Sequence, residues 1–342
     1  MSQLIVLTGA SGFIAKHIVL ALLRQGYQVR GTVRSSKRGE EVRAAVRPHL
    51  DDPAVADSHL SFAELDLTQD QGWAEALEGA DALLHTASPF PLVQPENEDE
   101  VIGPAVDGTL RALKAARAAG VDRVVLTSSV VAVAEKSRPA SGDVFTEDDW
   151  SDVDDPQINA YGKSKTLAEK AAWDFVEGEA PEIALTVINP GFVIGPALDA
   201  NYGTSLQVIE RIVRSKDPML PNFGFTCVDV RDIADMHVKA LSVPESAGKR
   251  FIGAAGFMWF PDMARAIDAG LPERKITTRR APNFVIRMLG MFDKEIKTIV
   301  PLLDVRKKVS GERARRELGI EFRPVDQAAV DAAKSVIAHN GL

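Results

Sequence analysis

Close to the N-terminus an apolar run breaks into glycines. Leu4–Leu7 leads into Thr8-Gly9-Ala10-Ser11-Gly12-Phe13-Ile14-Ala15, and a stretch with helical apolar spacing follows. Few local patterns restrict a fold so strongly. Gly9 permits a tight turn, Gly12 lets a ligand approach the backbone, and Ala15 is small enough for close helix–strand packing. Such a turn leaves the helix N-terminus open, where unpaired N–H groups and the helix dipole favour an anion. The pattern predicts a dinucleotide diphosphate here, with Gly9, Ser11, Gly12, Phe13 and Ile14 around it. The alternative is an ordinary strand-to-helix turn.

Beyond this turn, short β-type runs alternate with helical ones. Leu4–Leu7, Gln28–Val33, Ala82–Thr86, Val124–Leu126 and Leu185–Ile188 read as strands; Phe13–Gln25, Asp107–Ala119 and Tyr161–Val176 read as helices. Short apolar strands separated by helices imply parallel βαβ units. The expected fold is α/β, a doubly wound parallel Rossmann sheet with a smaller C-terminal α/β lobe. Past Gly191, Gly, Pro and aromatic residues become frequent, and the chain reads as loops and short elements. Residues 1–190 are expected to form the dinucleotide domain and 191–342 the substrate lobe. Cys227–Leu241 reads as a strand entering a helix, so the first domain is expected to be rejoined by about 226–255. Arg306, Lys307, Lys308, Arg313, Arg315 and Arg316 read as a solvated helix face.

Composition removes several classes. The net charge is -8, against a general preference for nucleic acid or an anionic membrane surface. Cys227 is the single cysteine, so there is no disulfide framework, and no Cys/His cluster suggests zinc; no metal is expected. The opening residues form neither a secretory leader nor a membrane helix, and a reducing cytoplasm is the expected location.

The second strand tells which dinucleotide fits. An NAD-selective site offers an acid to the ribose 2′-hydroxyl, whereas this strand ends in Thr32-Val33-Arg34-Ser35-Ser36-Lys37-Arg38, with no acid before Glu40. A guanidinium at Arg34, helped by Lys37 or Arg38, suits a 2′-phosphate, so NADP(H) is expected over NAD. A solvated basic loop is the other reading. Asp66, after the third strand, is placed to meet an adenine, or to serve as a helix cap or turn residue.

Tyr161-Gly162-Lys163-Ser164-Lys165 puts Tyr161 and Lys165 four apart on a predicted helix, hence on one face. A free phenol has a pKa of about 10, poorly matched to proton transfer at neutral pH; a nearby Lys165 ammonium is expected to stabilise its phenolate and lower that pKa, and can hydrogen-bond the nicotinamide ribose. Upstream, Val124–Leu126 ends in Thr127-Ser128-Ser129, at the carboxyl edge where such sheets bind ligands. A hydroxyl there can hydrogen-bond a substrate carbonyl; Ser129 is the first choice and Ser128 the reserve.

With these elements in order, the chain resembles the extended short-chain dehydrogenase/reductases of the NAD-dependent epimerase/dehydratase superfamily. The resemblance rests on the glycine turn, Thr127-Ser128-Ser129, Tyr161–Lys165 and Val228-Asp229-Val230-Arg231-Asp232. Within that family the chain is similar to the dihydroflavonol, cinnamoyl-CoA and aldehyde reductase branch. The residues concerned are Arg30–Arg34, Thr86-Ala87-Ser88-Pro89-Phe90, Pro104–Thr109 and Glu147-Asp148-Asp149-Trp150-Ser151. The resemblance implies a catalytic set of Ser129, Tyr161 and Lys165, with Tyr161 as proton donor, and NADP held through Arg34. It further implies adenine contacts from Asp66 and Leu67, and cofactor contacts at Thr86, Ala87, Ser88, Thr127, Pro190, Gly191 and Val193. A monomer or homodimer acting on a small carbonyl compound is the expectation.

Gly191-Phe192-Val193-Ile194-Gly195-Pro196 departs from the Pro-Thr-Leu-Val of plant flavonoid reductases, which directs the reading to a general aldehyde or ketone. Phe90, Phe192, Tyr202 and Phe225 are candidate walls of an apolar pocket, or plain core. Two rivals remain. A sugar-nucleotide epimerase or dehydratase would use bound NAD and need cations for a second diphosphate, with Arg211 and Arg214 as candidates. A non-catalytic NADP-sensing regulator would have no need of Ser, Tyr and Lys together.

Overall fold

The computed structural model describes residues 2–88, 97–137, 139–140 and 142–342, the side chains of Lys294 and Glu295 aside. Its strands are β1 (Leu4–Thr8), β2 (Gln28–Val33), β3 (Leu60–Glu64), β4 (Ala82–His85), β5 (Arg123–Thr127), β6 (Ala184–Pro190), β7 (Phe192–Ile194), β8 (Gly224–Asp229), β9 (Lys249–Gly253) and β10 (Gly256–Trp259). The longer helices are α1 (Phe13–Arg24), α2 (Ser36–Val46), α3 (Asp99–Ala118), α4 (Ala160–Gly178), α5 (Thr204–Arg214), α6 (Val230–Ser242), α7 (Phe260–Gly270) and α8 (Val325–Asn340).

Seven strands form one parallel sheet in the order β3-β2-β1-β4-β5-β6-β9. The order turns back between β1 and β4, and the crevice at their carboxyl ends is the ligand position of a doubly wound sheet. The alternation inside β1 explains the two layers. Ile5 and Leu7 join Ile18, Leu22, Ile233 and Met236 on one face, where α1 and α6 pack. Val6 joins Leu83, Leu113, Val124 and Phe175 on the other, under α3 and α4. Each such fully buried aliphatic side chain contributes about 1.5–3 kcal/mol.

Helix α3 begins at Asp99 rather than Asp107 and runs through Pro104. Proline removes one helical hydrogen bond and crowds the preceding turn, so the local pattern stops there. Packing along α4 outweighs this cost, and Lys163 Nζ donates to Glu98 at 2.7 Å beside the first turn.

The region past Gly191 is more ordered than expected. Strands β7, β8 and β10 form a second sheet in the order β10-β8-β7, and α5, α7 and α8 stand where loops and short elements were expected. In α8, Ala328, Ala329, Ala332, Ala333 and Val336 make a buried stripe at helical spacing. Strand β8 pairs within the second sheet, and the chain returns to the large sheet through α6 and β9. The basic stretch is corrected in part. Arg306, Lys307 and Lys308 lie in irregular backbone where Phe145 N donates to Lys308 O at 2.9 Å; only Arg313, Arg315 and Arg316 sit on a helix, Glu312–Leu318. Among the described residues, no helix is long and apolar enough to cross a membrane.

Candidate active site

The glycine turn lies at the switch point. Gly9 has φ +67, and a Cβ there would stand 2.8 Å from Ala87 Cβ. The carboxyl ends of β1 and β4 are therefore in direct contact, and only glycine fits. Thr8 Oγ1 accepts from Thr86 N and Ala87 N, both at 3.1 Å, while Thr86 Oγ1 donates to Thr8 O at 2.6 Å. The Thr8 hydroxyl proton is left for His85 Nδ1, 2.8 Å away. Burial holds His85 down to about 3, so the ring is neutral and accepts there. Helix α1 starts from Gly12 with no side-chain cap and no acid in its first turn. Gly12 is exposed and Ser11 half-buried beside it. A diphosphate fits such an uncapped N-terminus.

At the far end of the crevice Arg34 is exposed after β2, and Arg38 pairs with Glu41 at 2.8 Å. Asp66 is exposed and accepts from Thr68 N at 2.9 Å and Thr68 Oγ1 at 2.8 Å, a turn arrangement. Those bonds, with the Arg34 charge nearby, hold its carboxyl below the usual range. Leu67 is half-buried, its carbonyl accepting from Arg111 Nη1 at 2.8 Å. The strand end thus presents the exposed Arg34 beside two carboxylates, Asp66 and Glu64, the latter accepting from Ser36 N at 2.7 Å; along the chain no acid follows Arg34 until Glu40.

Helix α4 opens on Asn159, whose side chain accepts from Gly162 N at 2.8 Å. That cap sets the first turn so that Tyr161 faces the end of β5, where its hydroxyl is hydrogen-bonded with Ser129. The Tyr161 pKa is not lowered as expected from the nearby Lys165: desolvation pushes the phenol up to about 12, with the Ser129 bond opposing. Lys165 Nζ stands 5.9 Å from the Tyr161 ring centroid. Burial draws Lys165 down to about 8, with Glu169 opposing. The choice between the two serines is decided by partners: Ser128 Oγ donates to Glu169 Oε2 at 2.5 Å, which leaves Ser129 beside Tyr161. Thr127 is turned away. Its hydroxyl lies 2.7 Å from His237 Nε2, and His237 Nδ1 lies 2.7 Å from Ile233 O. A contact from Thr127 to a cofactor would have to come from its backbone.

Pro190, Gly191 and Val193 run from β6 into β7 past the same edge. A Cβ on Gly191 would stand 2.3 Å from Thr226 O, so glycine is required where β7 crosses β8. Ala87 and Ser88 are half-buried at the end of β4, and Phe90 lies outside the described residues. Phe192 stacks on Phe225 with centroids 4.1 Å apart, both half-buried. Tyr202 is core instead, its hydroxyl donating to Glu210 at 2.9 Å and accepting from Asn340. A cavity of about 600 Å³ is lined by Ile158, Phe145, Glu135, Lys136, Arg306 and Lys308 among others, and Ser129, Tyr161 and Lys165 are not in its lining. Arg211 and Arg214, the cations a second diphosphate would use, are paired with Asp217 at 2.7 Å and Glu210 at 2.6 Å.

Sequence reasoning missed the groups beneath this set: Glu169, Asn189 and Arg250. Glu169 carried a signal, since it follows Lys165 by one helical turn and extends the Tyr161/Lys165 stripe. Arg250 carried none, because its partners come from distant parts of the chain.

The model of the NAD dependent epimerase/dehydratase family matches residues 5–252. A cinnamoyl-CoA reductase of Medicago truncatula is 31% identical, the alignment covering 98% of this chain and 96% of the relative. An NADPH-dependent methylglyoxal reductase of Saccharomyces cerevisiae is 29% identical over 98% of this chain and 99% of its own. The crystal structure of a Candida albicans Gre2 in complex with NADPH superposes with a TM-score of 0.81 at 28% identity, covering 98% of this chain and 99% of that one. The glycine turn at the switch point, the Ser129–Tyr161–Lys165 set and these matches agree: the chain belongs to the NAD dependent epimerase/dehydratase family, in its extended short-chain dehydrogenase/reductase branch.

Proposed function

We propose that this protein is an NADPH-dependent reductase of a small aldehyde or ketone, with Tyr161 as the proton donor. The observation that carries the reading is the Tyr161 hydroxyl, hydrogen-bonded with Ser129 and held protonated near the Lys165 ammonium. Gly9, Ser11, Gly12 and the N–H groups of Phe13 and Ile14 would hold the diphosphate. Arg34 and Arg38 would take the 2′-phosphate, Asp66 and Leu67 the adenine, and Ala87, Pro190, Gly191 and Val193 the nicotinamide half. The bound cofactor supplies the hydride.

The chain's own residues do the rest. Ser129 Oγ hydrogen-bonds the carbonyl oxygen and fixes it beside Tyr161. Tyr161 Oη gives its proton to that oxygen as negative charge develops on it. Lys165 Nζ, a cation below its pKa of about 8, stabilises the phenolate left behind. A phenol raised to about 12 is a resting donor, which suits reduction better than alcohol oxidation at neutral pH. The stacked Phe192–Phe225 pair gives the second lobe an apolar wall, so an apolar or aromatic carbonyl compound is the substrate class. Against a sugar-nucleotide enzyme stand the neutralised Arg211 and Arg214 and the exposed Arg34.

The direct assay follows NADPH oxidation with a panel of aromatic and aliphatic aldehydes and ketones, NADH serving as control. Turnover that prefers NADPH is expected. In Tyr161→Phe, kcat should fall about 10²–10⁴-fold while NADPH affinity is kept. Full activity in that variant would remove Tyr161 from the mechanism.

A further inference from the structure

Beneath the catalytic set lies a buried polar node that none of the steps above uses. Glu169, on α4 one turn beyond Lys165, is 1% exposed. Its Oε2 accepts from Ser128 Oγ at 2.5 Å and from Asn189 Nδ2 at 2.7 Å, and its Oε1 accepts from Arg250 Nε at 2.6 Å. Asn189 Nδ2 also donates to Ser129 O at 3.2 Å. One carboxylate therefore joins the helix that carries Tyr161 and Lys165 to the end of β5 that carries Ser129, and to the end of β6. Arg250 is clamped in turn. Its Nη1 donates to Glu147 O at 2.9 Å and Asp149 O at 2.7 Å, and its guanidinium lies 3.8 Å over the Trp150 ring.

We infer that Glu169 is a positioning residue for the reductase chemistry: its carboxylate fixes Ser129 relative to Tyr161 and supplies the buried negative charge that keeps Lys165 an ammonium. This rests on the assignment of Ser129, Tyr161 and Lys165 proposed above. The bonds to Ser128 and, through Asn189, to the Ser129 carbonyl tie the strand end to the catalytic helix; of the groups on Glu169 only Arg250 calls for a carboxylate as an ion-pair partner, which the variants below separate from the effect on Lys165. The charge itself stands one helical turn from Lys165, where an opposite charge favours the protonated amine.

The other groups around Lys165 do not replace it. Tyr161 is neutral, His85 at the end of β4 is neutral, and Arg250 of β9 lies behind Glu169 with the opposite sign. The buried face of α3 carries no charged side chain, and neither does the turn Val131–Ala134 at the end of β5. Lys163 of α4 is committed outward to Glu98.

The test is the pH profile of kcat for carbonyl reduction by the whole enzyme with saturating NADPH. Wild type should lose activity as pH rises through the Lys165 pKa of about 8. Glu169→Gln can keep the Ser128 and Asn189 bonds on its amide oxygen but loses the Arg250 bond and the charge, so this alkaline limb should move down by about one pH unit. That single variant strands the buried Arg250 charge, so the double variant Glu169→Gln, Arg250→Met is measured with it; it leaves neither charge unpaired and keeps the volume filled. The limb should move down there too, whereas Arg250→Met alone should not lower it. A limb unmoved in the folded double variant overturns the inference, as does an equal downward shift in Arg250→Met. Tyr161→Phe separates the two levels. If turnover survives in it, the catalytic assignment fails and the role of Glu169 with it; if turnover is lost there and the limb stays fixed, only the role of Glu169 fails.

Discussion

In the function proposed above, Arg34 and Arg38 would take the 2′-phosphate, and Arg34 is the one of the two that the fold leaves unpaired among the described residues. Arg34 stands exposed at the end of β2, near the Asp66 carboxylate. Hydrogen bonds to a charged group contribute about 1.5–3 kcal/mol, and 1.4 kcal/mol is a factor of about ten in affinity. Arg34→Ala should therefore raise KM for NADPH about ten-fold or more and leave KM for NADH nearly unchanged. Equal losses with both cofactors would mean that the 2′-phosphate is held elsewhere. The same residue-level reading separates two neighbouring serines. Ser128 and Ser129 look alike in the sequence, yet one hydroxyl is spent on Glu169 and the other meets Tyr161.

Among the elements, the corner between β6 and β7 governs how the two sheets meet. Gly191 N donates to Gly253 O at 2.9 Å while its α-carbon passes against Thr226 O of β8. A methyl group there has no space and no flexible side chain to displace. Gly191→Ala should cost about 1–3 kcal/mol or more, read as a lower denaturant midpoint. Activity should fall with it, since Pro190 and Val193 flank the same edge. A midpoint equal to wild type would mean that β8 yields without strain. Helix α1 meets the second lobe by a related device. Lys16, 1% exposed, donates to Asp199 and to Asn201 O at 2.8 Å, and His17 Nε2 bonds Pro196 O at 2.8 Å. The loop after β7 is pinned to the cofactor-side helix by these two consecutive residues.

The whole molecule carries a pH limit of its own. His17, His85 and His237 are buried and neutral, held by desolvation to about 4, 3 and 4 from an ordinary value of 6.5. Between those values and 6.5 the unfolded chain binds protons that the folded chain does not. Stability is therefore complete above 6.5 and falls as pH drops toward about 4, by about 1.4 kcal/mol per pH unit for each histidine. Chemical denaturation at a series of pH values should show this slope beginning near neutrality. A midpoint flat from pH 7 to pH 5 would contradict the buried neutral histidines.

Legibility followed the range of the interactions. The βα rhythm, the glycine turn, Arg34 and the Tyr161/Lys165 pair could be read directly, because each is a pattern within one turn, one strand or one helix face. Helix α8 was missed although its alanine stripe is local, since the Gly, Pro and aromatic density earlier in the lobe suggested loops. Pro104 hid the first turns of α3, because only packing against α4 outweighs the proline. The sequence by itself determined the doubly wound class, the tight glycine turn at the end of β1 and the placing of Tyr161 and Lys165 on one helix face, for these follow from backbone freedom and side-chain period. Only the tertiary structure decided which serine faces Tyr161, that Thr127 turns toward His237, and that Arg250, held by the Glu147 and Asp149 carbonyls, pairs with Glu169. Those outcomes depend on which strand ends the parallel sheet sets side by side, and on a burial that makes each polar group find its partner far along the chain.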